Sequence, residues 1–252
     1  MKSVNEAYLA LIVGTSLLRN AINSKSLRDE TKDIINKSLN QDPEADARLR
    51  AAALNGRILD EISNIVCSDP RMSAEMSTAI AVKRWADRSI DIDLFSTDTG
   101  ASILAANALA KCINMRGTDM KVTGIVVTPI FSSISFNDAL GKFLNIMGKR
   151  IITRRGISVI GVTGGLKLEV VAATIIAMLT NARVAYLMES GELVIFPAIP
   201  IKLSESLLKM ERSKEEWEEL VKNGLAEYRD GEYSLMKWVM NLLNITTQSD
   251  TY

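Results

Sequence analysis

Ala7-Tyr8-Leu9-Ala10-Leu11-Ile12-Val13-Gly14-Thr15-Ser16-Leu17-Leu18-Arg19-Asn20 is the stretch that decides the fold. Tyr8 to Val13 is apolar without alternation, as a strand buried on both faces must be. Gly14-Thr15-Ser16 then turns the chain into a helix. Strand, small-residue turn and helix is how an open α/β sheet builds an anion site, because backbone N–H groups and the positive end of the helix dipole converge there. A second arrangement of this kind lies far along the chain, where Ile157 to Val162 runs into Thr163-Gly164-Gly165-Leu166-Lys167. Two such loops in one domain point to a ligand carrying several phosphates. The first supplies a hydroxyl (Ser16) and the second an ammonium (Lys167), groups suited to binding a phosphodiester and to assisting its cleavage.

Outward from these loops, strand and helix alternate. Helical patterns cover Asp29 to Leu39, a longer segment from Pro43 whose apolar spacing runs from Ala45 to Val66, and Met72 to Arg88. Asp91 to Ser96 reads as a short strand, Ser102 to Met115 as a helix, and Lys121 to Thr128 as a β-branched strand. Phe136 to Met147 and Lys167 to Leu179 are helices, the latter apolar nearly all round and so expected between layers. Arg183 to Met188 and Leu193 to Phe196 form a hairpin across Glu189-Ser190-Gly191. The fold class is α/β, with a mostly parallel sheet and helices on both faces. Ligands on such sheets lie outside the carboxyl ends of the strands, where Ser16, Thr97 to Thr99 and Lys167 all fall.

Pro197 and Pro200 mark a change of composition, and a boundary is expected at residue 200: a ligand-binding and catalytic domain over 1–200 and an appendage over 201–252. Within the appendage, Lys209 to Gly224 reads as a charged helix with a glycine cap. Leu225 to Leu235 reads as two strands around an Asp230-Gly231 turn, a small α+β, winged-helix-like pattern. Its helix carries Glu215, Glu216, Glu218 and Glu219, which argues against reading DNA. Trp238 lies in a last helix, and Gln248 to Tyr252 reads as a frayed tail.

Composition narrows the chemistry. Lys+Arg and Asp+Glu are each 30, so no basic excess suggests a long nucleic acid as partner. No apolar run reaches the length of a membrane span, and the polar start Met1-Lys2-Ser3-Val4-Asn5-Glu6 is unlike a signal peptide. A cytoplasmic protein is expected, and with it no disulfide between Cys67 and Cys112. The chain has no histidine, which removes the commonest general base and the commonest metal ligand together. Serine–histidine triads and paired-histidine ribonuclease chemistry are excluded. The glycines match neither G-x-G-x-x-G nor G-x-x-x-x-G-K-[ST]. No metal and no cofactor are expected.

Taken singly, each candidate has a plain structural use. Gly14 and the Gly164-Gly165 pair make tight turns, and Ser73-Ala74-Glu75 is a helix start. Asp98 or Thr99 is an N-cap, and Arg154-Arg155 belongs to a solvated loop. Arg19 can fork onto a phosphate. Lys167, a cation in the first turn of a helix, opposes the dipole unless an anion lies between. Their gathering at one sheet edge carries more weight than any one of them.

The ordered set formed by Gly14-Thr15-Ser16-Leu17-Leu18-Arg19-Asn20, Ser73-Ala74-Glu75, Ser96-Thr97-Asp98-Thr99, Val122 to Val126, Val162-Thr163-Gly164-Gly165-Leu166-Lys167 and Phe196-Pro197-Ala198-Ile199-Pro200 resembles the CRISPR-associated ring nucleases of archaeal type III systems. These are built on the Rossmann-like CARF domain. The resemblance covers roughly residues 7 to 200. It implies a homodimer that binds cyclic tetra-adenylate across its two-fold axis. It further implies metal-independent cleavage of the ring to linear di-adenylate ending in 2′,3′-cyclic phosphate. The family's catalytic serine and lysine fall on Ser16 and Lys167. Ligand contacts are expected from Gly14, Thr15, Arg19, Asn20, Glu75, Thr97, Asp98, Thr99, Thr163, Gly164 and Gly165. Ser16 is read as orienting the ribose 2′-hydroxyl or a non-bridging oxygen and not as a nucleophile, because no base is legible near it. The alternative is a non-catalytic CARF sensor of cyclic oligoadenylate that signals through its winged-helix-like segment. A fused HEPN ribonuclease is excluded by the absence of histidine.

Overall fold

A computed structural model describes residues 6–132, 135–154, 156–199, 201, 203–209 and 211–249. Arg155, Pro200 with the boundary expected there, the polar start over residues 1–5 and the tail beyond Ser249 lie outside the described residues. The chain runs β1 (Ala7–Val13), α1 (Ser16–Ile22), α2 (Asp29–Leu39), α3 (Pro43–Ala52), α4 (Arg57–Ser68), a 3-10 turn (Pro70–Met72), α5 (Ala74–Ala86), β2 (Ile90–Thr97) and α6 (Gly100–Met115). It continues through β3 (Met120–Thr128), α7 (Phe136–Ile152), β4 (Ile157–Gly161), α8 (Lys167–Leu179), β5 (Arg183–Leu187) and β6 (Leu193–Phe196). Then follow α9 (Glu205–Leu208), α10 (Lys214–Lys222), β7 (Ala226–Arg229), β8 (Glu232–Leu235) and α11 (Lys237–Ser249).

The main sheet has the order β3-β2-β1-β4-β5-β6, parallel through β5, with β6 antiparallel at the edge. This is a Rossmann-like arrangement. β1 is central because both of its faces are apolar. Leu9, Leu11 and Val13 face the core formed with α1 to α6, whereas Tyr8, Ala10 and Ile12 face the core formed with α7 and α8. The chain winds from β1 to β3 on one side and then crosses to β4 on the other. The carboxyl ends of β1 and β4 therefore flank the switch point, the crevice where such sheets hold ligands.

Several expectations change at the level of elements. The helical spacing over Ala45 to Val66 is interrupted: α3 ends at Ala52, and Gly56, at φ 119°, starts α4 afresh. Only glycine enters that backbone region readily. Helix α8 is not covered all round, since Val171 and Ile175 are exposed. Arg154 is half-buried and paired. It pairs with Asp91 at 3.2 Å and with buried Asp93 at 3.6 Å, and its guanidinium lies 4.6 Å from the centre of the Tyr8 ring. Asp93 also takes Arg150 at 3.2 Å and the hydroxyls of Tyr8 and Thr123. Burial, followed by the nearby Asp93 charge, pushes the Tyr8 phenol far above its ordinary value.

The expected absence of a disulfide is also corrected. Cys67 of α4 and Cys112 of α6 are joined, with Cα atoms 5.4 Å apart. Packing of α4 against α6 brings the two thiols together, and that tertiary contact overrides an expectation drawn from compartment alone. The bridge spans 45 residues, which on loop-closure entropy is worth about 4 kcal/mol. Melting in strong reductant, or of a Cys67→Ser variant, should occur roughly 10 °C lower. An unchanged midpoint would mean that the bridge adds nothing.

Beyond β6, α9, α10, β7, β8 and the start of α11 share a small core around Leu207, Leu220, Ala226 and Val239. The β7–β8 turn has positive φ at both Asp230 and Gly231, the hairpin geometry that an Asp-Gly pair favours. Helix α11 extends to Ser249, past the start of the expected frayed tail. It packs on α7 at Gly141 and Gly148, where a Cβ would lie 2.7 Å from Asn241 Nδ2 and 2.5 Å from Ile245 Cδ1.

Candidate functional site

The two glycine loops do converge, but the anion between them belongs to the chain. Glu75, in the first turn of α5, is fully buried. Its Oε1 accepts the Gly14 N–H at 2.9 Å. Its Oε2 accepts the hydroxyls of Ser16 at 2.8 Å and Ser73 at 2.6 Å. Ser73 also caps α5 by accepting the Met76 N–H. A Cβ on Gly164 would overlap Glu75 Oε1, and one on Gly14 would lie 2.7 Å from Gly165 N. The glycines therefore serve close approach of two loops around one carboxylate. Glu75 is not an exposed ligand contact. It is an acceptor seated behind Ser16, which overturns the reading that no base lies near that hydroxyl.

The same principle recurs at the other two loops. At the start of α6, Gly100 N–H donates to Asp46 Oδ1 at 2.7 Å, and Thr99 caps by accepting the Ser102 N–H at 3.2 Å. At the start of α8, the Leu166 N–H donates to Glu169 Oε2 at 3.0 Å. Each loop directs an N–H at an internal carboxylate from another part of the fold or from its own helix. Glu169 is buried like Glu75, at 1% exposed, but differs from the other two acids in that its Oε1 has no partner among the described residues. Burial pushes its carboxyl up to about 7, opposed by the Leu166 N–H. Glu169 escapes the sequence-based candidates, although an acid in the first turn of an otherwise apolar helix is a visible signal.

Over these loops opens a cavity of about 580 Å³, within the range of small-molecule sites. Of the expected ligand contacts, Gly14, Thr15, Arg19, Thr97, Thr99 and Gly165 line it, and Glu169, Asp46, Gln41, Leu166 and Phe131 join them. Ser16 and Lys167 do not line it; each follows in sequence a residue that does, Thr15 and Leu166. Arg19 and Lys167 are exposed, and neither forms an ion pair with a described residue.

Three expected contacts are internal ties. Asn20 donates through Nδ2 to Met72 O at 3.0 Å. Thr163 Oγ1 accepts the Leu187 N–H at 2.9 Å and lies 2.8 Å from Thr78 Oγ1. Asp98 accepts the N–H groups of Phe131 and Ser132, both at 2.8 Å. Burial raises the Asp98 carboxyl, but the Ser132 side chain and these N–H groups outweigh it and hold it below the usual carboxylate range. Asp98 thus holds the loop that places Phe131 at the cavity rim.

One family model, described as CRISPR-associated protein (Cas_APE2256), matches residues 70–199, just over half of the chain. The chain belongs to this family. The match takes in Glu75, the loop after β2, the Gly164-Gly165 pair, Lys167 and Glu169, and begins after β1 and Ser16. No curated protein matches the chain. Among the described residues, no helix is long and apolar enough to cross a membrane, and no group of three or more histidine, cysteine or acidic side chains is placed to hold a metal ion.

Proposed function

We propose that this CRISPR-associated protein is a ring nuclease. It binds cyclic tetra-adenylate across a homodimer and cleaves it, without metal, to linear di-adenylate with a 2′,3′-cyclic phosphate. The observation that carries this reading is the Ser16–Glu75 hydrogen bond between the two loops that border a switch-point cavity, with Arg19 lining that cavity and Lys167 following its lining residue Leu166, neither cation forming an ion pair among the described residues. In RNA the ribose 2′-hydroxyl already stands next to the scissile phosphate, so holding it in line lowers much of the barrier. Ser16 hydrogen-bonds the 2′-hydroxyl, with Glu75 behind it as acceptor. Lys167 stabilises charge on the non-bridging oxygens as the phosphorane forms, and Arg19 holds a neighbouring phosphate.

The partner copy is assigned to the apolar face next to the site. Leu166, Val171 and Ile175 are exposed there, as are Tyr186, Phe196 and Ile199 on and after the edge strands. Exposed apolar residues on a helix and on the strands after it are what an isologous interface would cover. Pairing through α8 brings two Lys167 loops to one axis, matching a ring of four nucleotides with two-fold symmetry. The test is incubation of purified protein with labelled cyclic tetra-adenylate in EDTA, with products resolved by chromatography. Di-adenylate supports the reading. Tight binding of an intact ring supports the sensor alternative, and the absence of binding overturns both.

A further inference from the structure

In a site without histidine, the missing element for phosphodiester cleavage is a proton donor for the leaving oxygen. We propose that Glu169 is that donor: its carboxyl, at the edge of the cavity it lines, delivers a proton to the ribose 5′-oxygen as that oxygen leaves phosphorus. The inference rests on the transphosphorylation reading above.

Three acids accept the loop N–H groups, and they differ in how fully they are satisfied. Glu75 accepts three hydrogen bonds. Asp46 accepts the Gly100 N–H and the Ser38 hydroxyl and pairs with Arg50. Glu169 accepts one, from Leu166, and its second oxygen is buried with no partner among the described residues. A buried acceptor without a donor is costly, whereas a protonated carboxyl turns the same atom into a donor. A water in the small void behind it does not account for it. On one side Glu169 borders a void of about 10 Å³ bounded by Ile130, Leu140, Phe143 and Ala172, and a water needs two to four polar partners. On its other side Glu169 lines the main cavity, so among the described residues the polar space it borders is the one where the ligand would sit.

Its position fits the role. A Cβ on Gly165 would lie 3.1 Å from Glu169 Oε2, while Gly164 abuts Glu75 Oε1. Two carboxyls thus flank one glycine pair: one satisfied by three donors, the other nearly without them. Such a pair divides acid and base roles by environment. Burial keeps the Glu169 proton bound up to about pH 7. The charged groups around it are Glu75 of α5 across the glycine pair, Arg19 of α1 and Asp46 of α3, which share the cavity, and Lys167 on α8 itself; the α7 residues bordering the void carry no charge.

The step balances. The 2′-oxygen bonds to phosphorus, and the P–O5′ bond breaks. The 2′-hydroxyl proton passes to Ser16 Oγ as the Ser16 proton moves to Glu75 Oε2, and the Glu169 proton ends on O5′. Exchange with solvent returns Glu75 to carboxylate and Glu169 to the acid.

The test is single-turnover cleavage by the full chain of cyclic tetra-adenylate and of the same ring carrying a bridging 5′-sulfur, whose thiolate leaves without a proton. Glu169→Gln keeps an acceptor for the Leu166 N–H. With the oxygen ring it should be slowed by about 10²–10⁴-fold, and it should lose the decline in rate that the parent shows as pH rises above about 7. With the sulfur ring it should match the parent. Equal slowing on both rings, or slowing on neither, overturns the role of Glu169 and leaves the transphosphorylation reading standing. A parent that leaves both rings intact overturns the two together.

Discussion

Glu75→Ala is expected to unfold at a much lower denaturant concentration than the parent and to lose ring cleavage. The carboxylate is fully buried and takes the Gly14 N–H and the hydroxyls of Ser16 and Ser73. Removing it leaves three donors without an acceptor and opens a hole between two glycine loops that have no side chains to fill it. Buried unsatisfied groups cost about 1–3 kcal/mol each, so a loss of roughly 3–5 kcal/mol is expected, the range reserved for disrupted buried networks. Denaturant titration followed by circular dichroism measures it. Glu75→Gln separates stability from chemistry. Its amide oxygen still accepts the Gly14 N–H, so the fold should survive, but an amide nitrogen facing Ser16 no longer accepts the serine proton. Because Glu75 acts through Ser16, the effects of Glu75→Gln and Ser16→Ala on cleavage should fall well short of adding in the double variant. Full additivity would show that Glu75 only supports the fold.

Lys167→Ala is expected to lose cleavage by about 10²–10³-fold with the fold intact. It is the first residue of α8, exposed, and without an ion pair among the described residues, so its removal disturbs no packing. Its worth lies in meeting charge that develops on the phosphate oxygens, and removing one preorganised partner of that kind costs about 2.7–4 kcal/mol of transition-state stabilisation. The dimer and the melting temperature should be unchanged. Arginine at this position should restore ring binding better than turnover, since a planar fork does not reproduce the geometry of an ammonium. Parental rates in Lys167→Ala would mean that the charge resides elsewhere, with Arg19 the next residue to change.

The sheet was legible because burial on both faces leaves a local trace. An uninterrupted apolar run such as Tyr8 to Val13, too short for a buried helix, fits little besides a central strand, and the glycines after β1 and β4 mark the turns that follow. The break between α3 and α4 left a trace that the reading of one long helix passes over. Ala53 and Ile58 are five positions apart, not three or four, so the apolar face jumps by about 140° between them, and Gly56 lies in that gap. Asn20, Asp98 and Thr163 were polar residues in the right loops, yet their partners lie 52, 33 and 24 positions away. Hydrogen bonds of that range have no sequence signature. The Ser16–Glu75 pair, separated by 59 positions, was lost for the same reason, and with it the base behind the serine. Glu169 carries a local signal, but acids are favoured in the first turn of any helix, and that ordinary use hides the burial that sets this one apart.

The central claim is that the ring is opened by its own 2′-hydroxyl on a surface made by Ser16, Glu75 and Lys167. The most direct test is cleavage of cyclic tetra-adenylate in water enriched in ¹⁸O with EDTA present, followed by mass spectrometry of the first products. Attack by the 2′-oxygen predicts di-adenylate ending in a 2′,3′-cyclic phosphate with no label. Labelled phosphate in the first-formed product would show that water was the nucleophile and would contradict the claim, as would a ring that stays intact.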